Sequence, residues 1–313
     1  MQTVHAPRAS TILYHFLKSR PIERPWLLPA NICPIVPITF FKAGIPVRFV
    51  DISETSFHMD LAQVEKLIGT GDFGGLLYAH TYGEASTPYE VFDCAKRMDE
   101  GFLVVDDRCL CVPRLEPDPI SRADVTLYST GRAKVVDLNF GGYAFIQEGD
   151  YQSVRLPYNP HDLEEIEKSY KECLRSGTRY KYHDSNWLAT EEPVSNWDGY
   201  CRQVQAAMNP SADHRAKLNA IYFRCLPDEL QLPAAYQTWR FNIRVRNQQK
   251  IMDAIFASEL FASSHYRSLT GTMGEGEAPQ AERLASEVVN LFNDHNFDPS
   301  MAEKVCEIVL ENA

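Results

Sequence analysis

The chain has no apolar run of the roughly 18 residues that a membrane-spanning helix needs, and its first residues hold no apolar signal segment. A cytoplasmic protein is expected. Positive charge is in short supply as well. Against 42 Asp and Glu stand 31 Lys and Arg, a formal net charge of -11 over 313 residues, which repels a nucleic-acid backbone. The clearest basic stretch, around Arg175, Arg179, Lys181 and His183, is short and reads as a solvated face. Paired metal-binding cysteines are missing too. None of the eight cysteines (Cys33, Cys94, Cys109, Cys111, Cys173, Cys201, Cys225 and Cys306) belongs to a Cys-x-x-Cys pair. Cys109 and Cys111 alternate along an expected strand, but two thiols without His or Cys neighbours make a poor zinc site. They read as reduced thiols in a reducing compartment, and no metal is expected.

What is present is an alternation of two periodicities. Residues 10–20, "STILYHFLKSR", open with hydroxyls and then space Ile12, Leu13, Phe16 and Leu17 as a helix does, with Ser10 or Thr11 as N-cap. A short apolar strand and a proline-punctuated loop lead to a helix ending at Gly44. Strands then follow at 46–52, within 74–83 (a strand running into a loop), and at 102–107, 124–130 and 141–147, with amphipathic helices at 60–69 and 89–101. The strands are mostly continuous apolar runs, as in a parallel sheet buried on both faces, and the order strand–helix–strand–helix indicates right-handed crossovers. Helices at 160–177 and 214–226 come next, and the composition changes at 227–237. A smaller α/β unit follows, with strands at 239–247 and 261–267, a helix at 248–260, a loop at 271–280 and two closing helices. The expected division is a large unit, 1–226, and a small C-terminal one, 227–313.

Ligands of parallel α/β sheets sit beyond the carboxyl ends of the strands. Asp107 and His80 fall at such ends, and Lys134 follows 27 residues after Asp107 on the next loop, before Gly141-Gly142. A lysine amine partly removed from water there can react with an aldehyde. Asp106 and Asp107 face opposite ways on one strand, so only one of them faces a ligand; the other reads as the cap of a turn. The start of the first helix offers free N–H groups to a phosphate, and Ser10, Thr11 and Ser129 offer hydroxyls. A carboxylate, an amine and an anion site together suit pyridoxal phosphate, whose ring nitrogen stays protonated beside a buried carboxylate.

These stretches resemble the fold-type-I enzymes dependent on pyridoxal 5'-phosphate (PLP), and among them the DegT/DnrJ/EryC/StrS sugar aminotransferases. "YAHTYGEA" is similar to that family's "VHLYGxP", "LVVDDRCLC" to its "VIEDAAQA", and "LYSTGRAKVVDLNFGG" to its "FSFxxxKxxxxxxGG"; the likeness runs from about residue 9 to the end and is thin across 151–200. The resemblance implies an α/β fold with a mostly parallel sheet covered by helices and a small C-terminal α/β domain. It makes Lys134 the catalytic lysine that carries the cofactor. Asp107 becomes the partner of the pyridine nitrogen, and Ser10, Thr11 and Ser129 become phosphate contacts. Two positions depart from the family. Cys33 lacks the nearby aromatic residue that stacks on the ring, which leaves His80 or a neighbour to do so. Leu110 stands where a glutamine usually touches the ring hydroxyl. The implied reaction moves an amino group from an amino acid, glutamate or glutamine, to a nucleotide-linked keto sugar. The implied assembly is a homodimer with shared sites, reached by Asn186 or Asn196 of a neighbouring subunit. Apolar stretches read as loops, 31–41 and 186–197, add to the case for a partner. The alternative is a descendant without catalysis that binds a sugar or a protein.

Overall fold

The computed structural model describes residues 1–20, 23–147, 149, 151–191 and 196–313. Seven strands form the larger sheet: β1 (Gln2–Ala6), β2 (Trp26–Pro29), β3 (Val47–Val50), β4 (Gly75–Ala79), β5 (Leu103–Asp107), β6 (Val125–Ser129) and β7 (Gly142–Ile146). Their order is β1-β7-β6-β5-β4-β2-β3. From β3 to β6 all pairings are parallel, and β7 runs antiparallel to both β6 and β1. β1 lies in a stretch the sequence reading left without structure. Its alternation is weak, with the first two residues exposed, and its place comes from pairing Gln2 with Ile146 through Ala6 with Gly142.

Helices cover both faces. α1 (Ala9–Ser19) and α2 (Ile35–Ala43) pack on one face, where Ile12, Phe16, Ile38 and Phe40 meet Leu28, Leu77, Val105 and Leu127. α3 (Leu61–Ile68) and α4 (Tyr89–Met98) pack on the other, where Val64 and Phe92 meet Leu27, Leu76 and Val104. Each fully buried side chain of this size contributes about 1.5–3 kcal/mol. The stretch 31–41 is thus mainly helix, apolar on nearly every side because it is buried on nearly every side. Trp187 and Leu188, at 1% and 0% exposure, belong to the same core. These apolar stretches are satisfied within the chain and give no reason for a partner; residues 192–195 lie outside those described.

Two long helices follow, α5 (Pro160–Ser176), capped by the Asn159 side chain, and α6 (Trp197–Cys225). The sequence reading took 151–235 as mostly helical but drew this helix over 214–226 alone. Pro210 lies inside α6, and a proline in a polar stretch reads as a breaker; the helix is held on either side of it instead. Its first half packs Tyr200 and Val204 against Tyr143, and its second half packs Leu218, Ile221 and Tyr222 into the core of the smaller sheet. That sheet holds β8 (Phe241–Arg244), β9 (Ala262–Ser264) and β10 (Val288–Leu291) in the antiparallel order β8-β10-β9. α7 (Gln248–Ala257), α8 (Pro279–Glu287) and α9 (Pro299–Asn312) complete the unit. β10 was read as the end of a helix; the β-branched pair Val288-Val289 marks where helix gives way to strand. Among the described residues no helix is long and apolar enough to cross a membrane.

Asp51, just after β3, joins the two units. Its carboxylate accepts from the backbone of Gln280 and Ala281 in the first turn of α8, both at 3.0 Å, and from Ile52 at 2.8 Å. A helix start about 230 residues away is thereby capped from the larger sheet. Asp51→Ala should lower stability by about 1–3 kcal/mol, read as an earlier midpoint in urea. An unchanged midpoint would mean the cap contributes nothing.

Candidate active site

At the carboxyl edge of the parallel strands, strand alternation decides what faces what. Val105 belongs to the core under α1 and α2, and Val104 to the core under α3 and α4. Asp107 therefore faces the α1 side and Asp106 the α3–α4 side. Asp107 is 8% exposed, and its Oδ1 accepts from the Cys109 backbone at 3.0 Å. Ser129 ends β6 in phase with Val125 and Leu127, which share the α1-side core. Its Oγ accepts from the Gly131 backbone at 3.3 Å.

α1 begins at the same edge. Its first residue is Ala9, with Arg8 in the capping position and no side-chain cap, so Ser10 and Thr11 lie in the first turn rather than at the cap. Gly142 is what lets this terminus close on β7, since a Cβ there would stand 2.5 Å from the Ala9 nitrogen. Gly141 has φ +92°, and a Cβ would fall 2.5 Å from the Tyr200 hydroxyl. Ser10 is half-buried, and its hydroxyl makes no hydrogen bond among the described residues. Thr11 is fully buried and donates its hydroxyl to the Ala189 carbonyl at 2.6 Å, so its proton is already committed.

Lys134 lies on the loop from β6 to β7, and its main chain is clamped from several sides. Trp239 Nε1 donates to the Ala133 carbonyl at 2.7 Å, and Arg215 donates to the Lys134 carbonyl at 3.0 Å. Within the loop, Asp137 accepts from the backbone of Ala133 at 2.7 Å and of Asn139 at 2.8 Å. Both of those residues have positive φ. The Lys134 amine is half-buried and makes no hydrogen bond or ion pair among the described residues. Burial, and then Asp107, push the Cys109 thiol well up, with Lys134 as the opposing charge. Cys109, Asp107 and Lys134 thus share one neighbourhood, and Cys109 is held there as a thiol.

Arg215 is 4% exposed and spans the clamp, donating to the Trp239 carbonyl and Asn293 Oδ1, both at 2.5 Å. Burial and the neighbouring Arg240 bring its guanidinium down to about 10. Arg240 pairs with Asp294 at 2.7 Å and stands 4.0 Å from the Phe292 ring centre. Burial acts to raise the Asp294 carboxyl, but Arg240 and the Asn296 hydrogen bonds outweigh it and hold it below the usual range. Sequence reading missed this clamp, because its members come from α6, the segment before β8 and the segment after β10.

His80 is not with Asp107. Its ring bonds Asp106 through Nε2 at 2.6 Å and faces the Glu84 carbonyl through Nδ1 at 2.7 Å, at 1% exposure. That is the α3–α4 side, so the ring is committed away from the edge where Asp107, Ser129 and α1 converge. Asp106 does not cap a surface turn. Burial would raise its carboxyl, but His80 and Arg108 hold it below the usual range. The aromatic residues near Cys33 are Tyr170 and Tyr266. Cys33 pushes the Tyr266 phenol up, and Tyr170 and Asp107 add to the effect. Tyr266 comes from the end of the stretch read as a strand, "FASSHYR". Asn196 caps α6 through Oδ1 at 2.7 Å from the Gly199 nitrogen, and the Asn186 carbonyl accepts from the Asn159 backbone.

No family model matches the sequence, and no curated protein does. Solved structures do. A DegT/DnrJ/EryC1/StrS aminotransferase from Brucella abortus is 16% identical, with 99% of this chain and 86% of that one covered and a TM-score of 0.68. A putative sugar aminotransferase from Streptococcus pneumoniae in its PMP form is 15% identical over 98% and 86%, at 0.72. The E. coli GDP-4-keto-6-deoxy-D-mannose-3-dehydratase, with bound hydrated PLP, is 10% identical over 98% and 87%, at 0.67. The chain therefore has the fold of PLP-dependent aminotransferases, a larger mostly parallel sheet with a small three-stranded one, and its resemblance to the sugar aminotransferases extends to the whole backbone. At these identities the likeness establishes the fold and not the reaction.

Asp294→Asn leaves Arg240 buried without its anion beside a second buried cation. The expected cost at neutral pH is about 3–5 kcal/mol, read by urea unfolding. Because the folded carboxyl is held low, its contribution is present above the ordinary carboxylate value of about 4 and is lost as pH falls through the folded value. The acid limb of the stability profile should therefore be shallower in the variant. Parallel limbs would show that Asp294 is not the compensating charge.

Proposed function

We propose that the protein is a PLP-dependent aminotransferase that moves an amino group from an amino acid, glutamate or glutamine, to a keto sugar, one linked to a nucleotide. The observation that carries this reading is the convergence of Asp107, Lys134, Ser129 and the uncapped start of α1 on one face of one sheet edge, in a fold whose relatives include PLP-bound structures. The donor set fits the cofactor: a buried carboxylate for the ring nitrogen, a primary amine without a partner among the described residues for the aldehyde, and backbone N–H groups at the start of α1 with the Ser10 and Ser129 hydroxyls for the phosphate. Thr11 and His80, which the resemblance also put forward, contribute less, since both are hydrogen-bonded elsewhere.

When bound, pyridoxal phosphate supplies an electron sink beside the carbon that gives up its proton. The chain does the rest. Asp107, shielded from water, holds a proton on the ring nitrogen. The clamp of Arg215 and Trp239 fixes the backbone at Lys134, so the amine Nζ is free to take a proton at one carbon and return it at another. Cys109, kept as a thiol, adds no charge beside Asp107. The likeness to sugar aminotransferases supports a keto-sugar acceptor; a homodimer with shared sites and a cytoplasmic setting go with this reading as further parts of the proposal. The division between a cofactor-holding unit and a C-terminal one at 226/227 rests on the composition change there, while the second half of α6 packs into the core of the smaller sheet. Leu110 and Cys33 favour the second reading, a protein that keeps the ligand and has lost the turnover.

Borohydride reduction of the protein loaded with PLP, followed by peptide mass mapping, should place a phosphopyridoxyl group on Lys134; a label on another lysine sinks the assignment. Asp107→Asn should then lower turnover about 100-fold or more, since losing a buried ion-pair partner costs about 3–5 kcal/mol. Labelling at Lys134 without measurable amino transfer would favour the second reading.

A further inference from the structure

We propose that Tyr266, carried by the C-terminal unit, is the aromatic wall of the ligand site at the Asp107 edge and packs its ring on the flat pyridine ring held there. The proposal rests on the cofactor reading above and adds a residue that neither the strand ends nor the Lys134 loop supplies. Tyr266 lies in the irregular segment that follows β9. Two hydrogen bonds fasten this segment across the carboxyl end of β2. Asn31 donates its side-chain amide to His265 Nε2 at 3.2 Å, and the Leu269 N–H donates to the Ala30 carbonyl at 2.9 Å. Asn31, His265 and Leu269 are all buried, and the His265 ring stands 4.5 Å from that of Tyr82, centre to centre. Tyr266 sits between the two anchors and still keeps 38% of its surface open. Its segment is thus fixed while its ring is left uncovered.

What the ring faces follows from its neighbours. Cys33 acts most strongly on its phenol, and Tyr170 and Asp107 act in the same direction. Cys33 and Tyr170 pack against the core under α1 and α2, and Asp107 faces that side as well. An open aromatic side chain among these three lines the cleft at the strand ends and is no part of the outer surface. The small side chain of Cys33 leaves room beside it. His80 is turned to the opposite face by Asp106, and Tyr82 is fully buried, so neither can take this place. The chemistry suits a protonated pyridine. The face of a phenol ring is negative and attracts a flat cationic ring, and offset stacking adds to the attraction. The same neighbours keep the phenol protonated, so Tyr266 brings no charge to compete with Asp107 for the ring nitrogen. A ligand gripped by Asp107 and Lys134 on one unit and by Tyr266 on the other joins the two, and its binding should protect both from unfolding.

The test uses the full chain, freed of cofactor and titrated by calorimetry with PLP and, separately, with 4'-deoxypyridoxine 5'-phosphate. The second probe has no aldehyde, so it reports the ring and phosphate contacts without a bond to Lys134. Tyr266→Ala should weaken both probes by about 10-fold, and Tyr266→Leu, which keeps bulk without a π-face, by nearly as much. Tyr266→Phe keeps the ring and should bind within about threefold of the unaltered chain. The visible circular dichroism of bound PLP should change in the Ala and Leu variants and stay as it is in the Phe variant. Tyr266→Leu carries the test if Tyr266→Ala fails to fold. If borohydride labels Lys134 but the Ala and Leu variants bind the aldehyde-free probe as tightly as the unaltered chain, the proposal is overturned and the cofactor reading stands. A Phe variant as weak as the Ala variant would also overturn it, since the hydroxyl and not the ring would then make the contact. An unaltered chain that binds neither probe sinks the cofactor reading and this proposal with it.

Discussion

Two guanidinium groups, Arg215 and Arg240, are buried side by side beneath the loop that bears Lys134. Placing two cations together away from water is unfavourable unless anions and carbonyls surround them. Here Asp294 pairs with Arg240, Asp137 on the loop adds a second negative charge, and the carbonyls of Lys134, Val135 and Trp239 take up the donors of Arg215. That compensation draws the Lys134 loop, α6 and the segments flanking the smaller sheet to one point. The position of the lysine is therefore set by the C-terminal unit as much as by the sheet it follows, which links folding of the last 75 or so residues to the geometry at the first sheet's edge.

The second constraint is the period of a strand. One residue separates Asp106 from Asp107, and the pleat sends them to opposite faces. Asp106 is spent on a buried network with His80, Arg108 and, through Arg108, Thr87. Asp107, on the α1 side, is left with one backbone donor, the Cys109 N–H. The two carboxylates are adjacent in sequence and have separate chemistry: one organises the α3–α4 face, the other is available to a ligand. Leu110 supports this corner from behind. A Cβ at Gly83, which has φ +81°, would meet the Leu110 carbonyl oxygen at 2.3 Å, so the turn after β4 and the turn after β5 pack backbone to backbone.

Much of this was legible in the sequence because local signals agreed with the fold. The helices expected at 60–69 and 160–177 are there as α3 and α5, and Gly44 and Gly177, both left-handed, close α2 and α5. The continuous apolar runs of β4, β5 and β6 announced a parallel sheet, and Asp107, Ser129 and Lys134, singled out in that order, lie at one edge of it. What failed to show was long-range. β1 exists by pairing with β7, and β10 follows α8 without a break. α6 runs through Pro210 because two cores grip it. His80 sits at a strand end, as expected, yet its side chain turns to the face where Asp106 supplies a charge, and no local pattern encodes that choice. Tyr266 reaches the neighbourhood of Cys33 from more than 230 residues away.

The central claim is that the edge carrying Asp107 and Lys134 holds pyridoxal phosphate for amino transfer. An absorption spectrum of the purified protein, taken after incubation with PLP and again after adding glutamate, tests it most directly. The account predicts a visible band that moves to shorter wavelength with glutamate and is missing from Lys134→Ala. A protein that stays colourless, or a band that survives the loss of Lys134, would contradict it.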